Sequence, residues 1–249
     1  MPNYKMILQY DGTRYKGWQR QANTDATIQG KLQNILQRMT GEEADVQGSG
    51  RTDAGVHAKG QVAHVHLQNE WQPEKIKDYV NYYLPEDIAV LEVEEVEERF
   101  HARLLATSKT YEYRIAKGKK ADVFQRKYVH VIEEALDVAA MNEAAKKLIG
   151  THDFKAFCGN PKMKKSTVRT IYEIEITETA QEIRLRFTGN GFLQNMVRIL
   201  TGTLLEVGAG LREPETMPEI LASRTHTRAG FMAPAKGLML KSVQYDRKD

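Results

Sequence analysis

Apolar residues recur along the chain in two rhythms, and their succession predicts an α+β protein. Lys5–Tyr10 (KMILQY) is a short, mostly apolar run stopped by the turn pair Asp11-Gly12, which predicts a strand. Ile28, Leu32, Ile35, Leu36 and Met39 then recur at helical spacing, with Gly41 as a stop. Val62–Leu67 is alternating and β-branched, a second strand. Ile76–Tyr83 reads as a helix with Pro73 near its start, and Ile88–Val96 as a third strand. The first hundred residues therefore read strand, helix, strand, helix, strand.

The second half is built alike. Lys109–Ile115 alternates as a strand, and Ala135–Leu148 forms a helix ended by Gly150. Val168–Ile176 and Ile183–Phe187 alternate apolar with charged residues around a polar turn, Glu178–Gln181, and predict a hairpin with one wet face. A long helix over Phe192–Val207, a short one over Met217–Ala222 and a closing strand over Leu238–Val243 complete the pattern. The seam falls near residue 105. This predicts two α+β halves, 1–105 and 106–249, without a sequence repeat that would establish duplication.

Composition narrows the picture modestly. A length of 249 residues suits one large domain or two smaller ones. No run approaches the ~20 apolar residues of a membrane span, and MPNYKMILQYDG offers no secretory h-region. A single cysteine, Cys158, allows no internal disulfide, so a reducing, cytoplasmic setting is expected. The net charge of +3, from 36 basic and 33 acidic residues, is too small to establish a nucleic-acid partner. Its distribution is more telling. Basic residues gather in Arg14, Lys16 and Arg20, in Lys117, Lys119 and Lys120, and in Lys162, Lys164, Lys165 and Arg169. Acid collects in Glu92–Glu98 and Glu133–Asp137. Basic loops of this kind suit a phosphate backbone, and solvated loops explain them equally well.

The densest chemistry lies in Gly48–His66, GSGRTDAGVHAKGQVAHVH, where Asp53 stands near Arg51 in a glycine-rich frame. An ionised carboxylate serves as base, nucleophile or electrostatic stabiliser, and a nearby guanidinium keeps it charged. Arg198 is a second cationic candidate, set in an apolar helix whose Gln194, Asn195, Arg198 and Thr201 are spaced to form one polar stripe. Such an arginine needs a carboxylate or phosphate partner, and an Arg–Asp bridge that merely pins loop to helix would satisfy it. Tyr111 and Tyr113 share one strand face, where they either stack bases or fill the core. Tyr10, Tyr15 and Trp18 interleave with Arg14, Lys16 and Arg20 in a loop suited to RNA contact.

Other patterns fail. Neither a dinucleotide fingerprint nor a P-loop occurs, so no nucleotide cofactor is expected. His57, His64 and His66 lack a cysteine partner or an H-E-x-x-H, so no metal is expected. Cys158 reads as a packed thiol. Only one acid sits in the Asp53 segment, which argues against a glycosidase pair.

Five segments resemble the bacterial tRNA pseudouridine synthase A family, nearly end to end. They are YDGTRYKGWQRQ (10–21), GSGRTDAGVHAKGQVAH (48–64), RFHARLLATSKTYEYRI (99–115), RFTGNGFLQNMVRILTGTLLEVG (186–208) and APAKGLML (233–240). Met232 departs mildly, where many members carry a smaller or polar residue. The resemblance implies an isomerase that converts uridine to pseudouridine at positions 38, 39 and 40 of the tRNA anticodon stem-loop. It implies no cofactor, no metal and a homodimer, with the dimer surface assigned to the second half. The implied fold has two ferredoxin-like halves with antiparallel sheets joined across a central active-site cleft. Carried over by motif, Asp53 matches the catalytic aspartate, Arg198 its arginine partner, and Tyr111 the tyrosine that stacks on the target base. Leu238 matches an aliphatic residue beside the base, and Arg51 a residue holding the base out of the helix. Arg14, Lys16 and Arg20 are the expected grip on tRNA phosphates. Two other readings compete: a non-catalytic RNA-binding α+β module, and a nucleoside or glycosidic-bond hydrolase with Asp53 as nucleophile. Asp53 in its Arg- and Gly-rich frame favours an enzyme over a binder.

Overall fold

A computed structural model describes residues 1–246. The chain forms two compact units, one comprising Met1–Thr107 with the stretch from Met239 onward, the other Ser108–Leu238. Among the described residues, no helix is long and apolar enough to cross a membrane.

In the first unit the strands lie in the order β4 (Ile88–Val96), β1 (Asn3–Tyr10), β3 (His57–His66) and β10 (Leu238–Tyr245). The short β2 (Gln47–Gly48) also pairs with β3. β1 runs antiparallel to both neighbours, matching Asn3 to His66 on one side and to Val96 on the other. Its central place explains the burial of Tyr4, Met6, Leu8 and Tyr10 on one face. Helix α1 (Ile28–Thr40) starts where the Thr27 hydroxyl accepts the Gly30 N–H, and ends at Gly41, whose left-handed φ of 79° caps it. It buries Ile28, Leu32, Ile35 and Leu36. Helix α2 (Pro73–Tyr83) packs along β4 and touches α1.

Strand β3 begins at His57, inside the glycine-rich motif, rather than at Val62 as the alternation predicts. Long-range pairing accounts for the extension: β10 lies parallel to β3, with Met239 opposite His57 and Leu240 opposite Ala58. Gly60 permits this approach, since a Cβ there would lie 2.5 Å from the Lys241 carbonyl oxygen. The same pairing corrects the expected partition, because residues from Met239 belong with the first unit and not with 106–249.

The second unit carries β5 (Ala106–Lys117), β9 (Glu182–Gly189), β8 (Val168–Glu178) and β7 (Gly150–Asp153), successive neighbours and antiparallel throughout. β6 (His130–Ile132) adds to β5 in parallel. The predicted hairpin is β8–β9, with Ile174, Ile176, Leu185 and Phe187 buried and Arg184 and Arg186 outward. Helix α3 (Val138–Lys146) starts later than Ala135 because the Asp137 carboxylate caps it, accepting the Ala140 N–H. It packs on α4 (Met196–Gly208), nearly all of whose residues are buried. A short α5 (Met217–Ser223) follows. Both units are α+β, the class that the pattern predicts.

Candidate active site

Asp53 occupies a turn between β2 and β3, closed by the Val56 N–H donating to the Asp53 carbonyl at 3.1 Å. The loop after β1 braces this turn. The Trp18 N–H donates to Thr52 O at 3.0 Å, the Gly55 N–H to Tyr15 O at 3.2 Å, and the Gly12 N–H to His57 Nδ1 at 3.0 Å. Gly17 has φ +98°, and a Cβ there would lie 2.7 Å from the Thr52 carbonyl oxygen. The first and second sequence motifs are thus two strips of backbone bonded into one platform. Beneath it runs a buried polar network. Tyr10 Oη pairs with Thr52 Oγ1 at 2.9 Å, and Gln61 Nε2 donates to Tyr10 Oη at 3.3 Å and to Gly50 O at 3.0 Å. Ser49 Oγ donates to Gln61 Oε1 at 2.8 Å. Burial pushes the Tyr10 phenol up to about 12, so it stays neutral in ordinary buffers.

Asp53 is half-buried in this unit. Arg51 is exposed and, among the described residues, makes no ion pair with Asp53. Arg14 is committed elsewhere: its Nε and Nη2 reach Asp87 Oδ2 at 2.8 and 2.7 Å, while the Tyr15 hydroxyl donates to Asp87 Oδ1 at 2.6 Å. It ties the first loop to the turn before β4. Lys16 and Arg20 are exposed.

Tyr111, Arg198 and Leu238 all lie in the second unit. Tyr111, on β5, meets Phe192 edge to face at 5.3 Å. Tyr113 points the same way but is fully buried, its hydroxyl donating to Pro234 O at 2.8 Å, and burial raises its pKa. Both tyrosines are thus buried on the one strand face, Tyr113 wholly and Tyr111 at 7% exposure against Phe192. Arg198 Nε donates to Ala233 O at 2.7 Å and Nη1 to Asn195 Oδ1 at 3.2 Å, while its own carbonyl accepts the Ala233 N–H at 3.1 Å. The chain from Gly230 to Leu238 is stitched along α4 and then against Tyr113. Leu238, buried, follows directly.

The predicted polar stripe on this helix needs correction. Asn195 adopts φ 57°, a left-handed conformation that starts α4 at Met196 and leaves Phe192–Gln194 outside it. Thr201 is buried and returns its hydroxyl proton to Val197 O at 2.8 Å.

The sequence profile of the tRNA pseudouridine synthase family matches residues 6–103 and 144–246. The chain belongs to that family. It is 49% identical to tRNA pseudouridine synthase A 1 of Clostridium tetani and 46% identical to tRNA pseudouridine synthase A 2 of Bacillus cereus, in each case over 98% of this chain and 100% of the relative. A solved archaeal box H/ACA Nop10–Cbf5 complex covers 82% of this chain and 44% of the matched chain, at a TM-score of 0.39 and 12% identity, too weak a likeness to bear on the fold. Membership in the family makes the protein an isomerase of tRNA uridine.

Among the described residues of this pseudouridine synthase, no group of three or more His, Cys, Asp or Glu side chains is arranged to hold a metal ion. His64 instead accepts the Ala102 N–H at Nδ1, 3.2 Å away. Burial first, then the neighbouring His101 and His66, lower its pKa to about 4. Cys158 is buried and directs its thiol to Asn160 O at 3.4 Å, a packed group as its isolation in sequence suggests. Sequence reading missed Thr52, Gln61, Phe192 and Ala233 as supports of the proposed site residues, and placed Asn195 beside Arg198 only as part of a polar stripe. One signal was available for Gln61: an uncharged polar residue placed where a strand buries its side chains needs designated partners.

Proposed function

We propose that the protein converts uridine to pseudouridine at positions 38, 39 and 40 of the tRNA anticodon stem-loop, with Asp53 as the catalytic carboxylate. The observation that carries this is the Asp53 turn, bonded to the first motif through main-chain hydrogen bonds on both sides of the carboxylate. A mere RNA-binding module has no need of a carboxylate mounted so rigidly, since a negative charge repels phosphate. The reaction breaks the N1–C1′ bond, turns the uracil and forms C5–C1′, while C5 loses a proton and N1 gains one. The base must first leave its stack, at a cost of a few kcal/mol. Tyr111 is proposed to receive it, Leu238 to pack beside it and Arg51 to hold it out. Arg198 is proposed as the aspartate's cationic partner. Arg14, Lys16 and Arg20 are proposed to contact phosphates, with Arg14 doing so against the competition of Asp87. The reaction is redox-neutral and is proposed to need no cofactor or metal. The protein is proposed to act as a cytoplasmic homodimer, with the dimer surface on the second unit, which sedimentation of the wild type tests.

Purified protein incubated with unmodified tRNA transcripts, with pseudouridine mapped by position, tests the reading. Asp53→Asn should abolish turnover and leave tRNA affinity near the wild-type value. Pseudouridine formed by that variant sinks the mechanism. Free uracil among the products points to a hydrolase, and binding without turnover by the wild type to a binding module. Unchanged turnover after dialysis against EDTA is expected.

A further inference from the structure

One concavity in the first unit is lined by charge and aromatic surface that the proposed catalytic residues do not use. It measures about 810 Å3 and is walled by Arg14, Tyr15, Asp25, Lys31, Arg38 and Tyr83, among others. Lys31 and Arg38 stand two helical turns apart on α1 and so share a face. Neither makes an ion pair with a carboxylate among the described residues. Arg14 is neutralised by Asp87, which leaves two uncompensated cations facing the single carboxylate of Asp25. The Arg38 guanidinium carbon lies 4.6 Å from the Tyr83 ring centre, and Tyr83 in turn meets Tyr79 at 4.8 Å and Tyr82 at 4.9 Å. Tyr82, at 80% exposure, is among the most exposed large side chains of the molecule.

Two cations without a carboxylate partner, beside an exposed aromatic ladder, match the chemistry of an RNA strand: phosphates for the cations, a base or ribose face for the rings. An apolar protein segment would leave both cations buried and unpaired. The groove adjoins the Asp53 turn: Tyr15 is among its lining residues, and the Tyr15 carbonyl accepts the Gly55 N–H of that turn. We propose that this groove is a second RNA subsite, which takes phosphodiester backbone of the tRNA outside the target nucleotide, with a base or sugar against Tyr82 and Tyr83. The proposal rests on tRNA being the substrate.

The test compares wild-type protein with Lys31→Gln/Arg38→Gln, with Arg38→Lys and with Tyr82→Ala. Dissociation constants for an unmodified tRNA transcript are measured between 50 and 200 mM salt, alongside KM, kcat and thermal unfolding. Each lost phosphate contact lowers the salt slope of log K by about 0.9, so two contacts over a fourfold salt range reduce the salt-induced loss of affinity roughly tenfold. The double variant should show this, with a raised KM, an unchanged kcat and a wild-type melting temperature. Arg38→Lys should keep most of the slope, and Tyr82→Ala should weaken binding without changing it. Wild-type affinity and slope in the double variant would overturn the proposal, as would a loss confined to kcat or to stability. A wild-type protein that binds tRNA but makes no pseudouridine would instead refute the catalytic reading, and the binding comparison would still decide the groove.

Discussion

Replacing Gln61 by leucine is the sharpest probe of how the Asp53 turn is held. Gln61 is fully buried on β3, and leucine keeps much of its volume, so the change removes mainly hydrogen bonds. Its amide nitrogen serves Gly50 O and Tyr10 Oη, and its oxygen accepts from Ser49 Oγ and from the Val62 N–H at 3.2 Å. Tyr10 keeps its bond to Thr52, so the heaviest loss falls on the Gly50 carbonyl, while the Ser49 hydroxyl and the Val62 N–H each lose their bond to Gln61. A polar group deprived of a bond in such a setting costs about 1–3 kcal/mol, so the change as a whole costs roughly 3 kcal/mol. At about 2–4 °C per kcal/mol for a chain of this size, the melting temperature should drop by roughly 6–12 °C. Gly50 and Thr52 adjoin the segment that carries Asp53, the proposed catalytic carboxylate, and a misplacement of about 1 Å costs on the order of 100-fold in rate. Single-turnover pseudouridine formation below the melting transition should therefore slow by roughly 10- to 100-fold, with tRNA affinity nearly unchanged. Circular-dichroism melting and a tritium-release assay on uridine-labelled tRNA read the two effects. A melting temperature within about 2 °C of wild type together with an unchanged rate would refute the idea that this network supports the turn.

Three further outcomes are expected. Tyr111→Phe should retain part of the single-turnover rate because its ring and its edge-to-face contact with Phe192 survive, whereas Tyr111→Ala should lose most of it; an unchanged rate for the alanine variant would make the residue purely structural. His64 is held neutral with its pKa near 4 instead of 6.5, so the unfolded chain binds a proton between those values that the folded chain refuses. Stability from this group is complete above about pH 6.5 and falls by about 3 kcal/mol as the pH drops to 4, and urea titrations of His64→Gln should show a shallower acid decline than wild type. Gly202→Ala would drive a methyl group into the Phe231 carbonyl, displacing the segment that presents Ala233 to Arg198, and should cost about 3 kcal/mol in urea unfolding; a loss under about 0.5 kcal/mol would show that the segment yields freely.

Local rhythm alone specified α1, β4 and the β8–β9 hairpin, because periodicity and caps act within a few residues of each other. It also singled out Asp53, since a carboxylate among turn-forming glycines is a local pattern. Resemblance added Tyr111, Arg198 and Leu238, residues whose surroundings in sequence are ordinary. Strand alternation put Tyr111 and Tyr113 on one face without saying what covers either. Folding buries both, Tyr111 against Phe192 and Tyr113 with its hydroxyl on Pro234 O, partners distant along the chain. Placement of β10 beside β3, the early limit that Asn195 sets on α4, and the Tyr10–Thr52–Gln61 network are tertiary decisions of the same kind. Strands of two to four residues, such as β2, β6 and β7, are too short to show a period. Local pattern says which face of a segment is apolar. Which partner covers that face, and where each buried polar atom finds its bond, depends on residues that only folding brings within reach.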